Sequence, residues 1–375
     1  MITQFINLSN NKTFNIFKER YNLSFEYNLG LTGIELRNIS AEFHKSNLIG
    51  PSINIFFSSD SILLVGSIEQ IIKEISSSDF NPILSREILN VITKYQRNDS
   101  TSYELGKKRF NFNQSYVMGI LNVTPDSFSD GGKYLDLKNA VDHGIEMSNM
   151  GADIIDIGCE STRPGSESID EDEEINRVIP LIEQIISKKP DVVISIDTTK
   201  SNVAKAALQS GASIVNDISG GTFDKNIFGV LKDYNAGFVI MHIKDTPKTM
   251  QVSPTYDDVV SEVYDHLFRL SNLAEESGIK KIFIDTGIGF GKRIEDNLSL
   301  INRLEDFKSL GYPILIGLSR KNFIGKILNL PVEDRDDVSN SLNTLALTNG
   351  ARIIRTHNVK LAVQSCKMFN RLVVN

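Results

Sequence analysis

The chain has 375 residues, of which 41% are hydrophobic and 23% are charged, as is ordinary for a globular protein. Its formal net charge of −7 excludes a general nucleic-acid-binding surface, because such a surface needs an excess of basic residues. No apolar run approaches the roughly 20 residues of a membrane span, and the first residues lack the apolar core of a signal peptide. Together with two widely separated cysteines, this predicts a cytoplasmic protein that binds neither nucleic acid nor membrane.

The first 105 residues predict a small α+β domain. Residues 53–67 form two strands joined by a turn, and Ser67 with Gln70 gives the capping-box pattern at the start of a helix. A second helix is expected over residues 84–95, followed by a linker over residues 96–102. No motif in this domain indicates a chemistry, so the sequence assigns it no function.

Residues 106–375 repeat one unit, in which a short apolar strand is followed by a polar loop and an amphipathic helix. The predicted strands are residues 117–123, 154–158, 192–197, 213–217, 238–242, 281–285, 313–317 and 352–356. Apolar strands that alternate with helices favour a parallel sheet covered by helices, and eight such units predict a (β/α)₈ TIM barrel. The alternative is a doubly wound open sheet, which would lead us to expect a Gly-x-Gly-x-x-Gly turn after the first strand, and the sequence has none.

Polar side chains follow nearly every predicted strand. In a barrel, the C-terminal ends of the strands form one rim that carries the active site. The residues expected on this rim are Asn122, Glu160 to Arg163, Asp197, Asn216, Asp217, His242, Asp285, Ser319 to Lys321, Arg355 and His357. One polar residue at a strand end means little, but a full ring of them indicates a functional site.

The last two strands are followed by basic residues, in the sector where barrels often bind phosphate. Arg355 and His357 close the last strand, and Ser319, Arg320 and Lys321 follow the one before it. Arginine offers a planar fork and lysine a point charge, so the group predicts a polyanion site. The alternative is that these residues pair with acidic side chains on neighbouring loops.

Two carboxylates and two amides also reach the rim. Asp197 and Asp285 end strands on nearly opposite sides of the barrel, where they could bind N–H groups or stabilise a positive charge, or could simply cap helices. Asn216 could contact a heteroaromatic edge. Asn122 could join phosphate oxygens and water around Mg²⁺, although a turn cap is the simpler interpretation of this residue alone. His242 has apolar neighbours, which predict a semi-buried position.

Eight segments in order resemble the dihydropteroate synthase family over about residues 114–370. They are GILNVTPDSFSDGG, GADIIDIGCESTRPG, IDTTK, GASIVNDISG, MHIKDTPKTMQ, GIGFGK, GLSRKNFIG and RIIRTHNV, and the first two are specific signatures. The resemblance implies that 4-aminobenzoate displaces diphosphate from (7,8-dihydropterin-6-yl)methyl diphosphate through a cationic pterin-methyl intermediate. It further implies a step of tetrahydrofolate biosynthesis, Mg²⁺ as cofactor, sensitivity to sulfonamides and a homodimer.

The resemblance also implies a role for individual residues. The pterin would be held by Asp197, Asn216, Met241, Asp285, Gly317 and Lys321. The diphosphate would be held by Asn122, Thr162, Arg355 and His357, with Asn122 also contacting Mg²⁺. The aminobenzoate site would contain Phe128, Thr162, Arg163, Pro164, Phe290 and Ser319. Asp197, Lys321 and Asn122 would be the catalytic residues, and residues 124–132 would form a mobile lid.

The sequence departs from the family pattern at Cys159, Asp245 and Thr286, which replace Gly, Gly and Pro. These changes put loop shape in question but leave the reaction unchanged. The implied chemistry requires no side-chain nucleophile, which agrees with the lack of an obvious Ser–His or Cys–His pair in the sequence.

Three other functions fit parts of the pattern. A pterin-binding methyltransferase subunit shares the barrel but has no need of the Ser-Arg-Lys and Arg-x-His segments. A non-catalytic interaction protein would be unlikely to retain the whole ring of rim residues. A Schiff-base aldolase would use Lys321 as its nucleophile.

Overall fold

The computed structural model describes residues 1–8, 11–23, 31–38, 53–58, 61–77, 80–123, 133–160 and 169–373. The chain divides into two compact units, one of residues 1–98 with 303–312 and one of residues 99–302 with 313–375. Within the described ranges, no helix combines the length and the apolar character that crossing a bilayer requires.

The first unit is a four-stranded antiparallel sheet with strand order β1-β2-β4-β3. Its elements are β1 (Ile2–Asn7), α1 (Asn11–Tyr21), β2 (Thr32–Arg37), β3 (Asn54–Phe57), β4 (Ser61–Gly66), α2 (Ile68–Ile75), α3 (Pro82–Arg97) and a 3₁₀ helix (Leu304–Leu310). Side chains alternate along β4, so that Ile62 and Leu64 pack in a cluster with α2 and α3, while Leu63 and Val65 pack with α1. Both faces of the sheet are therefore buried.

The predicted cap of α2 is confirmed, and the predicted linker contains the boundary between the two units but is largely helical. The backbone N–H of Gln70 donates to Ser67 Oγ at 3.2 Å, and that of Ser67 donates to Gln70 Oε1 at 2.8 Å. Residues 96–97 instead complete α3, and Asn98–Ser100 forms a 3₁₀ turn. Asn98 is 1% exposed and donates from Nδ2 to the carbonyl of Tyr312 at 2.8 Å. The run is polar because its side chains are hydrogen-bonded, which composition alone cannot show.

Deleting residues 1–98 should destabilise the rest of the chain, because residues 303–312 fold as part of the first unit. Asn7 Nδ2 donates to Glu305 at 2.8 Å, and the Arg303–Asp306 ion pair is buried, with side chains 3% and 1% exposed. We expect the truncated protein to melt about 5–10 °C below the full chain in calorimetry. Asn98→Ala, which removes the side-chain hydrogen bonds to the carbonyls of Tyr312 and Lys308, should give a smaller drop. Equal melting temperatures for the truncated and full-length proteins would contradict this account.

The second unit is an eight-stranded closed barrel preceded by a hairpin. Its strands are β5 (Ser102–Leu105), β6 (Lys108–Asn111), β7 (Tyr116–Asn122), β8 (Ile154–Gly158), β9 (Val193–Asp197), β10 (Ile214–Asp217), β11 (Gly237–Met241), β12 (Lys281–Asp285), β13 (Ile314–Ile316) and β14 (Ala351–Thr356). Its helices are α4 (Lys133–Met150), α5 (Glu171–Lys188), α6 (Ser201–Gln209), α7 (Ile227–Tyr234), α8 (Val259–Glu276), α9 (Ile294–Asn302), α10 (Asn322–Leu328), α11 (Asp336–Thr348) and α12 (Val359–Val373). Parallel pairing of β14 with β7 closes the ring, so the (β/α)₈ prediction is confirmed. Each of these eight strands lies within one residue of its predicted bounds.

The N-terminal end of the barrel is filled by apolar side chains. Phe110 and Phe112 from the hairpin pack in one cluster with residues from the first half of every barrel strand, such as Ile154, Val193 and Phe283. This cluster closes one end of the barrel. Polar side chains therefore gather at the opposite end, where the strands finish.

Candidate active site

A cleft of about 370 Å³, partly open to solvent, lies at the C-terminal ends of the strands. It is lined by Asp197, Asn216, Ile218, Met241, Asp285, Ile288, Phe290, Gly317, Lys321 and Arg355. The structure thus brings together all six residues that the resemblance assigns to a pterin, along with one from the diphosphate group and one from the aminobenzoate group.

A fully buried carboxylate, Asp156, organises the floor of this cleft, although the sequence did not single it out. Asp156 Oδ2 accepts from Arg355 Nε at 2.6 Å and from Asn216 Nδ2 at 3.0 Å. Because the amide nitrogen of Asn216 is committed to Asp156, its Oδ1 remains as an acceptor for a ligand N–H. The available signal was an acid in the middle of the apolar strand IIDIG, which needs a counter-charge inside the barrel.

Asp156 and Asp197 share one guanidinium. Arg355 Nη2 donates to Asp197 Oδ2 at 2.6 Å while Nε binds Asp156. Burial raises the pKa of Asp197 from 3.8 to about 7; Arg355 opposes the rise, and the neighbouring Asp156 carboxylate adds to it. Once Asp197 ionises, above about pH 7, two carboxylates face one guanidinium, and the cluster holds an excess of negative charge beside the cleft. Asp197 is not a helix cap, because α6 begins after Lys200.

The pKa of Asp197 predicts a pH dependence of stability. Its folded pKa of about 7 exceeds the ordinary value of 3.8, so the folded state binds more protons between these values. The contribution of Asp197 to stability is therefore complete below about pH 4 and is lost as the pH rises through about 7. We expect the melting temperature of the wild type to fall relative to that of Asp197→Asn over this interval. Asp233→Asn, at an exposed helix position, is the control; parallel curves for wild type and Asp197→Asn would contradict the prediction.

A second carboxylate and a lysine face the cleft from β12 and from the loop after β13. Asp285 Oδ1 accepts from the backbone N–H of Gly287 at 2.7 Å, and burial raises its pKa. Burial lowers the pKa of Lys321 to about 8, and the charge of Asp285 opposes the change. Lys321 Nζ lies 4.4 Å from the ring centroid of Phe290, a cation–π contact. Phe290 packs in turn against an apolar cluster that includes Met241. The cleft therefore has a polar rim and an apolar wall, which suits a flat heteroaromatic ring.

The sector after β13 and β14 contains a Ser–His pair, contrary to the expectation from sequence. Ser319 Oγ lies 3.0 Å from His357 Nδ1 and accepts the His357 backbone N–H at 3.1 Å. Burial, with the charge of Arg320, lowers the pKa of His357 to about 4. The imidazole is thus neutral at pH 7 and too weak a base to activate the serine efficiently. The pair fixes the two loops against each other.

Two of the basic residues predicted to bind an anion already have acidic partners. Arg320 donates to both carboxylate oxygens of Asp336, at 2.7 and 2.8 Å, and Arg355 binds the two aspartates described above. Arg320 and Arg355 therefore pair with acidic side chains, as the alternative to a polyanion site predicted. Lys321 makes no ion pair within the described ranges.

Several predicted rim residues lie away from the cleft or outside the described residues. Asn122 is exposed at the end of β7, and it does not line the cleft. Asp217 is fully buried and accepts from the backbone N–H groups of Ser219 and Gly221, so it shapes a turn. Glu160 forms an ion pair with Lys200 at 2.6 Å. Outside the described residues lie Phe128, Thr162, Arg163, Pro164 and the predicted lid, residues 124–132.

The three departures from the family pattern lie at constrained positions. Asp245, which replaces Gly, has a φ of 64°, in the left-handed region that favours glycine. Aspartate and asparagine tolerate this conformation better than most other residues. Thr286 is fully buried, and Cys159 is 1% exposed. Burial raises the pKa of the Cys159 thiol to about 12. Cys159 is thus a packing residue.

The fold defines a (β/α)₈ barrel with a polar cleft at the C-terminal ends of its strands, and comparison with known proteins identifies its family. Residues 118–357 match the family model described as pterin binding enzyme. A dihydropteroate synthase from Bacillus subtilis (strain 168) is 45% identical over 262 residues, 69% of this chain and 89% of the relative.

Two solved structures share the fold. A Xanthomonas albilineans dihydropteroate synthase with 4-aminobenzoic acid has a TM-score of 0.68 and 36% identity, covering 73% of this chain and 98% of that one. A Yersinia pestis dihydropteroate synthase in complex with a sulfonamide drug has a TM-score of 0.69 and 35% identity, covering 73% and 100%. The chain belongs to the pterin binding enzyme family. The resemblance to dihydropteroate synthases is confirmed, and with it the activity of a transferase of the pterin-methyl group.

Proposed function

We propose that the cleft binds the ring of (7,8-dihydropterin-6-yl)methyl diphosphate and delivers it to 4-aminobenzoate. The observation that carries this proposal is the convergence of Asp197, Asp285 and the Asn216 Oδ1 on one cleft with an apolar wall. Pterin rings present several N–H groups, and these three side chains offer acceptors. Met241, Gly317 and Lys321 complete the lining. The Xanthomonas and Yersinia enzymes, with 4-aminobenzoic acid and a sulfonamide drug, support the identity of the second substrate.

The negative potential at Asp156 and Asp197 favours a dissociative reaction. The bond between the methylene carbon and the diphosphate oxygen breaks first, and its electron pair leaves with the diphosphate. The resulting positive charge on the pterin-methyl group lies beside a carboxylate pair that one guanidinium neutralises only in part. The amine of 4-aminobenzoate then bonds to the methylene carbon and releases a proton to water. Because the leaving group departs before the amine bonds, no protein nucleophile is needed. Lys321 would hold the ring by hydrogen bonding.

The diphosphate would be held by Asn122, Thr162, Arg355 and His357. His357 is neutral near pH 7, so it contributes a hydrogen bond while Arg355 contributes charge. Asn122 offers an exposed amide oxygen, and the described ranges contain no cluster of three acidic, histidine or cysteine residues that could enclose a metal ion. These features fit Mg²⁺ bound by Asn122 together with water and substrate phosphate. Mg²⁺ would offset the charge of the leaving diphosphate.

The aminobenzoate site would combine Phe290 and Ser319 with Phe128, Thr162, Arg163 and Pro164. Phe290 already forms one wall of the cleft, and Ser319 is held by His357.

A direct assay tests the proposal. The purified chain is incubated with the pterin diphosphate, labelled 4-aminobenzoate and Mg²⁺, and both products are measured. We expect equal amounts of dihydropteroate and diphosphate, loss of activity with EDTA, and inhibition by a sulfonamide. No product would overturn the proposal. Trapping of a substrate on Lys321 by borohydride would favour an aldolase, and methyl transfer without diphosphate release would favour a methyltransferase subunit.

We also propose that the protein is a cytoplasmic homodimer. Both cysteines are free and buried, which fits a reducing compartment. Leu345 on α11 and Met368 and Leu372 on α12 are 42%, 64% and 74% exposed, so these two helices offer apolar side chains to a second copy. A monomeric mass in analytical ultracentrifugation at micromolar concentration would contradict the dimer.

A further inference from the structure

The loop between β12 and α9 contains a buried lysine that the proposed chemistry does not use. Lys292 is 4% exposed. Its Nζ lies 2.9 Å from the carbonyl oxygen of Gly287, 3.1 Å from that of Phe290 and 2.9 Å from His242 Nδ1, with the His242 carbonyl farther away at 3.4 Å. An ammonium group has three N–H donors, so the three shorter contacts use its full capacity.

The imidazole partner of Lys292 is neutral. Since the ammonium can only donate, His242 Nδ1 must accept, which places the imidazole proton on Nε2. Burial and the charge of Lys292 lower the pKa of His242 well below its ordinary value, and the ring of His266 packs against it with centroids 4.8 Å apart. Burial also lowers the pKa of Lys292 to about 7, so the pair carries one positive charge below about pH 7. Within the described ranges no carboxylate forms an ion pair with Lys292.

The contacts of Lys292 join the end of β11 to the loop that carries Phe290. Gly287 has a φ of 67°, and a Cβ there would lie 1.9 Å from the His242 carbonyl oxygen, so the two backbones touch directly. Lys292 bonds both sides of this junction. The backbone of Phe290 is held by its carbonyl, while its ring lies beneath Lys321 in the wall of the cleft.

We propose that Lys292 is a positioning residue that holds Phe290 in the wall of the aminobenzoate site, a role that rests on the proposed function. An apolar side chain could fill the same space without desolvating a charge. The contribution of the amine is therefore its directional hydrogen bonds to the loop. Lys292 does not line the cleft, so its effect on the reaction must pass through Phe290.

A double-mutant cycle tests this role. Lys292→Met should raise the KM for 4-aminobenzoate about tenfold, while the Kd for the pterin diphosphate changes less than about twofold. Phe290→Leu should raise the same KM, and the double variant should be no worse than the poorer single variant, because both remove one wall. Lys292→Arg, which keeps a donor cation, should retain most of the aminobenzoate affinity. Lys232→Met, at an exposed position on α7, is the control.

The outcomes separate this inference from the proposed function. If the wild type forms no dihydropteroate, the proposed function fails. If the wild type is active and Lys292→Met leaves the aminobenzoate KM unchanged, or if the two substitutions add, the positioning role is overturned. If Lys292→Met does not fold by circular dichroism, Lys292→Arg decides: a near-normal KM supports the role, and a KM as high as that of Phe290→Leu overturns it.

Discussion

Replacing Asp197 with alanine should lower kcat for dihydropteroate formation about 10²- to 10³-fold. The carboxylate lies in the cleft where positive charge would develop, and its oxygen is 2.6 Å from Arg355 Nη2. The melting temperature should change little, because Arg355 keeps Asp156 as a buried partner when Asp197 is removed. The measurement is steady-state turnover at saturating substrates, with calorimetry on the same preparation.

Asp197→Asn separates charge from shape. The amide keeps the size of the side chain and one acceptor oxygen but removes the negative charge. If the charge stabilises the pterin-methyl cation, Asp197→Asn should show most of the loss of kcat that Asp197→Ala shows. Near-normal turnover in Asp197→Asn would show that Asp197 acts only by hydrogen bonding, and near-normal turnover in Asp197→Ala would remove it from the mechanism altogether.

Replacing Arg355 with methionine should weaken binding of inorganic diphosphate about 10²-fold and destabilise the protein by about 3 kcal/mol. The loss of affinity follows from removing the guanidinium that would face the anion. The loss of stability follows because Asp156 is fully buried and would lose its cationic partner. Calorimetric titration with diphosphate and thermal unfolding measure the two effects.

A second substitution separates these effects. Adding Asp156→Asn to Arg355→Met removes the fully buried one of the two carboxylates that lose their partner, so part of the stability should recover while diphosphate binding stays weak. Arg320→Met is the matched control, because its guanidinium binds Asp336 and does not line the cleft. Unchanged diphosphate affinity in Arg355→Met, or no recovery in the double variant, would contradict these roles.

The barrel could be predicted from sequence because each of its strands is a nearly continuous apolar run bounded by turn residues. Strands of a parallel sheet are buried on both faces, and this burial requires such runs. The side to which a rim residue points could not be predicted. Asn216 and Asp217 are adjacent and both polar, yet Asn216 lines the cleft while Asp217 binds backbone N–H groups of the following turn. Strand pairing decides between them, and it depends on contacts distant in sequence.

Residues that act through others were also beyond sequence reasoning. The position of Asp156 in the middle of an apolar strand predicts a buried counter-charge but not which residue supplies it, and the position of Lys292 in a glycine-rich loop indicates no role by itself. Their importance appears only when Arg355, Asn216 and Phe290 are found at hydrogen-bonding distance. Strand-end position identified the residues that line the cleft, but the groups that orient them come from the tertiary structure.

The most direct test of the account is a crystal structure of the chain with (7,8-dihydropterin-6-yl)methyl diphosphate bound. We expect the ring in the cleft, with its N–H groups on Asp197, Asp285 and the Oδ1 of Asn216, and the diphosphate near Arg355. A ring bound elsewhere, or one that meets the Nδ2 of Asn216 in place of its Oδ1, would contradict it.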